Sequence, residues 1–83
     1  MKSRIVWHTT VHEGFQQLPP AVGGSILEKI NLLLWFSRMY PPQAKGRFRR
    51  HRKFVAADWV VYYRVVQDTV YVRGLWLARM PQP

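Results

Sequence analysis

The sequence predicts an α+β domain of order β-α-α-β-β-β, two helices packed on one face of a small, mainly antiparallel sheet. Three observations predict it. Apolar residues recur at helical spacing through the first half of the chain, they switch to alternation after Lys45-Gly46, and the pairs Pro19-Pro20 and Pro41-Pro42 punctuate the helical half. Helices gathered on one side of an antiparallel sheet are the α+β solution to burying two amphipathic kinds of element. The 83 residues suffice for one domain, residues 1–83, and 48% of them are hydrophobic, including four each of Trp, Tyr and Phe. A chain this short needs such a dense core, and this density excludes an intrinsically disordered chain.

Each element has its own signal. Residues 4–8, Arg-Ile-Val-Trp-His, are β-branched and aromatic and read as a first strand. Thr10 and Glu13 stand at capping-box spacing, and Val11, Phe15 and Leu18 follow on one helical face until Pro19-Pro20 ends it. Ser25 and Glu28 repeat the capping box, and Ile26, Leu27, Ile30, Leu33, Leu34 and Ser37 trace one wide face. This second helix starts either at Ser25 or earlier, near Pro20, since proline suits a first turn. Pro41-Pro42 should end it. Alternation then predicts strands over residues 47–55, 59–66 and 69–77, joined by short connectors at 56–58 and 67–68 that suit hairpins. The strand from Trp59 is apolar on both faces, as a central strand should be, with Arg64 the exception. The last four residues are too few to add an element.

Charge narrows the function. Thirteen Lys and Arg against four Asp and Glu give a net charge of +9. In a packed domain, that excess points to nucleic acid, the ribosome or an acidic protein, because neutralising phosphates releases counterions. The chain has no Cys and only three His, so no metal and no cofactor are expected. The apolar run over residues 26–36 is too short and interrupted to span a bilayer, which needs about 20 residues. No membrane partner is expected, and the expected location is the cytoplasm.

The densest cations are Arg47, Arg49, Arg50, Arg52 and Lys53, with His51 among them. On a strand, Phe48, Arg50, Arg52 and Phe54 would share the core-facing side and Arg47, Arg49, His51 and Lys53 the other. Such cations either grip phosphate through guanidinium forks or guard a sheet edge against aggregation. Arg64 and Arg73 interrupt apolar strands, where an unpaired charge is costly, and so require a carboxylate, an open sheet face or a ligand. Asp58 fits a turn, and Trp59 is either core or a stacking platform. His51 is either the best-placed general acid or base, since histidine as a residue type titrates near neutrality, or a surface residue of a basic strand.

These residues, in this order, resemble the RelE/ParE superfamily of toxins from bacterial type II toxin–antitoxin systems. Ile5-Val6-Trp7 with Phe15-Gln-Gln-Leu18-Pro19 resembles the family's first strand and its "F..L" helix. Lys45-Gly46 resembles the signature leading into the second strand. Asp58-Trp59-Val60-Val61-Tyr62-Tyr63-Arg64-Val65 resembles the core strand of the YafQ-like branch, and residues 68–72 continue as the usual last strand.

The resemblance implies growth arrest by one of two routes. RelE-like members cut mRNA on the ribosome; ParE-like members poison DNA gyrase and are not nucleases, and fold alone does not choose between them. It also implies a cognate antitoxin, expected to be acidic. For a metal-independent ribonuclease acting with the ribosome on mRNA, Arg52, Asp58, Tyr63, Arg64 and Arg79 form the expected catalytic set. Lys45, Arg47, Arg49, Arg50, His51, Lys53, Trp59 and Arg73 are the expected RNA and phosphate ligands.

The chain also departs from the pattern. Phe54 stands where the YafQ-like branch has a His, and Arg73-Gly74-Leu75-Trp76-Leu77 replaces a signature ending in another. From Tyr63 to Arg79 the chain lies without a gap on the ParE-like ending, with Leu77 in the usual His place. A catalytically inactive RNA-binding relic is the third reading.

Overall fold

Burial of the apolar stripes against one another organises the computed structural model, which describes residues 2–83. Its order is β1 (Arg4–Trp7), α1 (Thr9–Gln16), α2 (Pro20–Leu33), β2 (Arg52–Ala56), β3 (Trp59–Val66) and β4 (Thr69–Leu77). The four strands form one sheet in the order β1-β4-β3-β2. Strand β1 runs parallel to β4, and the other two pairings are antiparallel. The predicted α+β architecture is therefore present, with β3 central as its two apolar faces require.

The helices cover one face of this sheet. Ile26, Ile30 and Leu33 of α2 pack with Phe54, Ala56, Val61, Tyr63, Val70 and Val72, and Val11, Phe15 and Leu18 close the margin. Each fully buried side chain such as Ile26 or Leu33 contributes about 1.5–3 kcal/mol relative to exposure. The other face carries a smaller aromatic cluster, in which Phe48 and Trp76 pack on Val60 and Tyr62. Trp7 contacts Phe15 at 4.9 Å between ring centroids, which fastens α1 to the end of β1.

Several boundaries differ from expectation, each for a physical reason. Neither capping box forms. The α1 N-cap is His8, with no side-chain cap bond, and α2 starts at Pro20, the earlier of the two expected starts. Ser25 lies inside α2, and its hydroxyl donates to the Ala21 carbonyl one turn back. The buried face of α2 is narrower than the sequence suggests, since Leu27 is exposed. The helix also ends at Leu33 rather than near Pro41: the N–H groups of Leu34 and Trp35 turn back to Asn31 and Leu32 at short range, tightening the last turn. Residues 34–40 continue as turns, leaving Trp35, Phe36 and Met39 exposed.

The largest correction concerns residues 47–55. Strand β2 begins only at Arg52, and Gly46 to His51 form a compact loop. Gly46 (φ 93°) and Arg50 (φ 69°) both adopt left-handed backbone that no strand accommodates. The loop is closed by the Gln43 N–H to the His51 carbonyl, 2.8 Å, and the Arg50 N–H to the Gln43 carbonyl, 2.9 Å. Phe48 and Phe54 consequently lie on opposite faces of the sheet rather than on one. Two-residue hairpins join β2 to β3 and β3 to β4. In the first, Ala57 (φ 49°) and Asp58 (φ 67°) are both left-handed, as a type I′ turn demands.

Candidate functional site

Phe48 is the anchor of the site. Its ring stacks on Tyr62 at 4.4 Å and 13°, and meets Trp76 edge-on at 5.6 Å. Gly74 lies beneath it, and a Cβ there would approach Phe48 Cζ to 2.7 Å. The absence of a side chain at Gly74 is thus what lets the loop over residues 43–51 sit down on β4. Once seated, the loop holds Arg47 over both aromatics, its guanidinium carbon 5.4 Å from the Trp76 ring and 5.7 Å from the Phe48 ring. Stacking of this kind orients the guanidinium plane while leaving its donors free.

Arg73 reaches the same place by a different device. Tyr63 pairs with Val72 and Tyr62 with Gly74, so Arg73 is the extra residue of a β-bulge in β4. A bulge re-aims its side chain out of the strand's alternation. That explains how an Arg stands in an apolar strand without a carboxylate: it is exposed to solvent, not buried.

The third wall is the start of α1. Strand β1 stops pairing at Trp7, opposite Val72, so β4 has a free edge from Arg73 onward. The His8 N–H still donates to the Val72 carbonyl at 3.0 Å, which fixes the β1–α1 junction beside the bulge. Two adjoining clefts result. One, of about 400 Å³, is lined by His8, Thr10, Val11, Gly14, Arg47, Trp59, Arg73, Gly74, Leu75 and Trp76. The other, of about 270 Å³, is lined by His8, Arg47, Phe48, His51 and Arg73. They share His8, Arg47 and Arg73, and no acidic residue lines either.

His51 is half-buried at the base of the loop. Its Nδ1 lies 3.1 Å from the Arg49 carbonyl oxygen. A carbonyl only accepts, so Nδ1 carries the hydrogen and Nε2 is left as the free ring nitrogen. The His51 ring meets Phe48 edge-on at 5.3 Å, so the same anchor that seats the loop orients this imidazole.

Of the expected RNA ligands, the structure brings Arg47, His51, Trp59 and Arg73 together. Lys45, Arg49 and Arg50 are exposed on the loop beside them, and Lys53 is exposed on β2. The expected catalytic set is dispersed. Arg52 points to the helix side, where its Nη1 donates to the carbonyls of Tyr40 and Arg38 and ties down the turns after α2. Tyr63 is fully buried in the core, with a hydroxyl that has no hydrogen-bond partner. Asp58 is exposed in the hairpin, where its carbonyl accepts from the Ala78 N–H. Arg64 is exposed on the helix-free face, beside Tyr71 of β4, and Arg79 is exposed beyond the end of β4. No group of three or more potential metal ligands occurs among the described residues. No helix among them is long and apolar enough to cross a membrane.

Sequence reasoning missed His8 and Trp76, and it misread Phe48 as a strand residue. The only available signal for His8 was its position at a strand-to-helix junction. What brings it to the same cleft as His51 is the parallel β1–β4 register, which joins the two ends of the chain.

No protein-family model matches the chain, and no curated protein matches it. Solved structures do. A chain of the RelBE2 toxin–antitoxin complex from Mycobacterium tuberculosis superposes with a TM-score of 0.78 at 16% identity, covering 93% of this chain and 99% of that one. A chain of the archaeal RelE–RelB complex from Pyrococcus horikoshii gives 0.72 at 20% identity, covering 98% and 100%. An arginine-to-alanine double mutant of E. coli toxin RelE in the free state gives 0.74 at 16% identity, covering 95% and 86%. This chain therefore has the RelE toxin fold.

Proposed function

We propose that this protein is the toxin of a type II toxin–antitoxin system and arrests translation by cleaving mRNA on the ribosome. One observation carries the reading: two arginines, two imidazoles and two indoles converge on acid-free clefts at the end of a RelE-type sheet. Arg47 and Arg73 grip the phosphodiester, where bidentate guanidinium contacts stabilise the charge that builds up on phosphorus. Trp59 and Trp76 offer π-faces to the flanking bases, and Lys45, Arg49 and Arg50 extend the cationic surface along the RNA backbone. An acidic antitoxin neutralises this surface, and the RelB partners in two of the similar complexes support that part of the reading. Activity on the ribosome places the protein in the cytoplasm.

The test is cleavage of a defined mRNA by the purified protein with ribosomes. The wild type should cut, and Arg47→Ala and Arg73→Ala should each slow cutting by about 10–100-fold, the loss of one charge-assisted phosphate contact. Intact mRNA and undisturbed translation, together with an early DNA-damage response on expression, would instead select gyrase poisoning. Absence of growth arrest altogether would leave the inactive relic.

A further inference from the structure

The smaller cleft is lined by two histidines and two arginines, with no carboxylate. We infer that His51 and His8, which line the smaller cleft together with Arg47 and Arg73, are the proton-transfer pair for cleavage of the bound phosphodiester. The inference rests on the reading of the clefts as an RNA-cleaving site.

The chemistry follows from the donors present. The RNA 2′-oxygen attacks phosphorus, the O2′–P bond forms and the P–O5′ bond breaks. One proton leaves the 2′-hydroxyl and one joins the departing 5′-oxygen. The products are a 2′,3′-cyclic phosphate and a 5′-hydroxyl, and no metal or co-reactant is required.

His51 takes the first proton. The Arg49 carbonyl holds the hydrogen on Nδ1, so Nε2 presents its lone pair as a base. His8 supplies the second proton. It is exposed at the α1 N-cap and its side chain makes no cap bond, so both ring nitrogens are free to exchange protons with solvent and substrate. The charged or titratable groups that line this cleft are the two histidines and the two arginines, with Phe48 closing its floor. With no carboxylate there, no other side chain lining the cleft is a proton carrier near neutral pH.

Single-turnover cleavage of ribosome-bound mRNA tests the pair, with two substrates. One has the natural 5′-oxygen at the scissile bond; the other has a 5′-bridging sulfur, whose thiolate departs without a proton. On the natural substrate His8→Ala and His51→Ala should each slow cleavage by about 100-fold or more, the usual contribution of one acid or base. On the sulfur substrate His8→Ala should recover to within about tenfold of wild type, because its lost function is no longer needed. His51→Ala, and His51→Asn as a second variant with a hydrogen-bonding side chain, should stay slow on both. All variants should bind mRNA with a 2′-deoxy scissile nucleotide as wild type does.

A wild type that cuts while both variants keep its rate overturns the pair and leaves the proposed function standing. A wild type that does not cut overturns both. Lack of sulfur rescue for His8→Ala overturns its role as acid, and parallel loss of affinity and rate would make either residue a binding group.

Discussion

Tyr62 and Tyr63 are adjacent on β3, and one step along the strand separates two chemistries. The Tyr62 hydroxyl lies 2.7 Å from Gln82 Oε1, so the chain after β4 folds back to satisfy it. The Tyr63 hydroxyl points into the core and meets no partner. Burial pushes the Tyr63 phenol up from 10.0 to about 12, with nearby Arg52 opposing the shift and Tyr40 adding to it. The neutral phenol is thus favoured in the folded state. Stability should be flat below the ordinary tyrosine value of 10.0 and should fall as pH rises to about 12, because the unfolded chain ionises first. Tyr63→Phe removes an unsatisfied buried hydroxyl, so at neutral pH it should be neutral or stabilising by up to about 1 kcal/mol. It should also reduce the alkaline loss in urea titrations, leaving the part due to Tyr62, whose phenol burial also raises. Growth arrest by the variant should equal that of wild type. A loss of toxicity at unchanged stability would restore Tyr63 to the chemistry.

The loop over residues 43–51 has the opposite character: an irregular segment seated on the sheet by one aromatic side chain, Phe48. Gly74→Ala drives a methyl toward Phe48 Cζ and Trp76 Cζ3, where the Cβ would stand at 2.7 and 3.1 Å. Overpacking of this kind costs about 1–3 kcal/mol. Here the strain is relieved most easily by lifting Phe48, which carries Arg47 and His51 away from Arg73. Gly74→Ala should therefore lose more activity than the single Arg47→Ala change, with only a modest drop in melting temperature. Equal activity would show that the loop's seating is irrelevant to the site.

This loop is also where the sequence was least legible. Strands β3 and β4 were predictable to the residue, because β-branched and aromatic residues alternate there between turn signals. Between Gly46 and Lys53, Phe and Arg alternate only loosely, and no Val, Ile or Thr supports a strand. Gly46 was the signal for a turn, outweighed by periodicity that proved accidental. The cations were found, but their faces were not. Arg52 and Arg47 sit on opposite sides of the sheet because the backbone reverses hand at Arg50, which residue type does not announce.

A net charge of +9 could bind any polyanion diffusely, so the arrangement of that charge is what separates a site from a basic surface. Arg52 donates to the Tyr40 and Arg38 carbonyls, and Lys29 Nζ to the Val55 carbonyl at 2.9 Å; these cations serve the fold. Arg47 instead lies over aromatic rings, and Arg73 projects from a bulge with its side chain exposed. Affinity for a short single-stranded RNA, followed by fluorescence anisotropy over about 50–200 mM salt, distinguishes the two classes through counterion release. Arg47→Ala with Arg73→Ala should flatten the log–log salt slope by about 1.4, two contacts at about 0.7 each for single strands. Arg52→Ala removes one unit of the same charge and should leave the slope within error. Its cost should appear instead as about 1.5–3 kcal/mol of stability, the loss of a charged donor to backbone carbonyls. If all three arginines flattened the slope in proportion to their charge alone, the binding would belong to the overall field and the clefts would have no special claim on RNA.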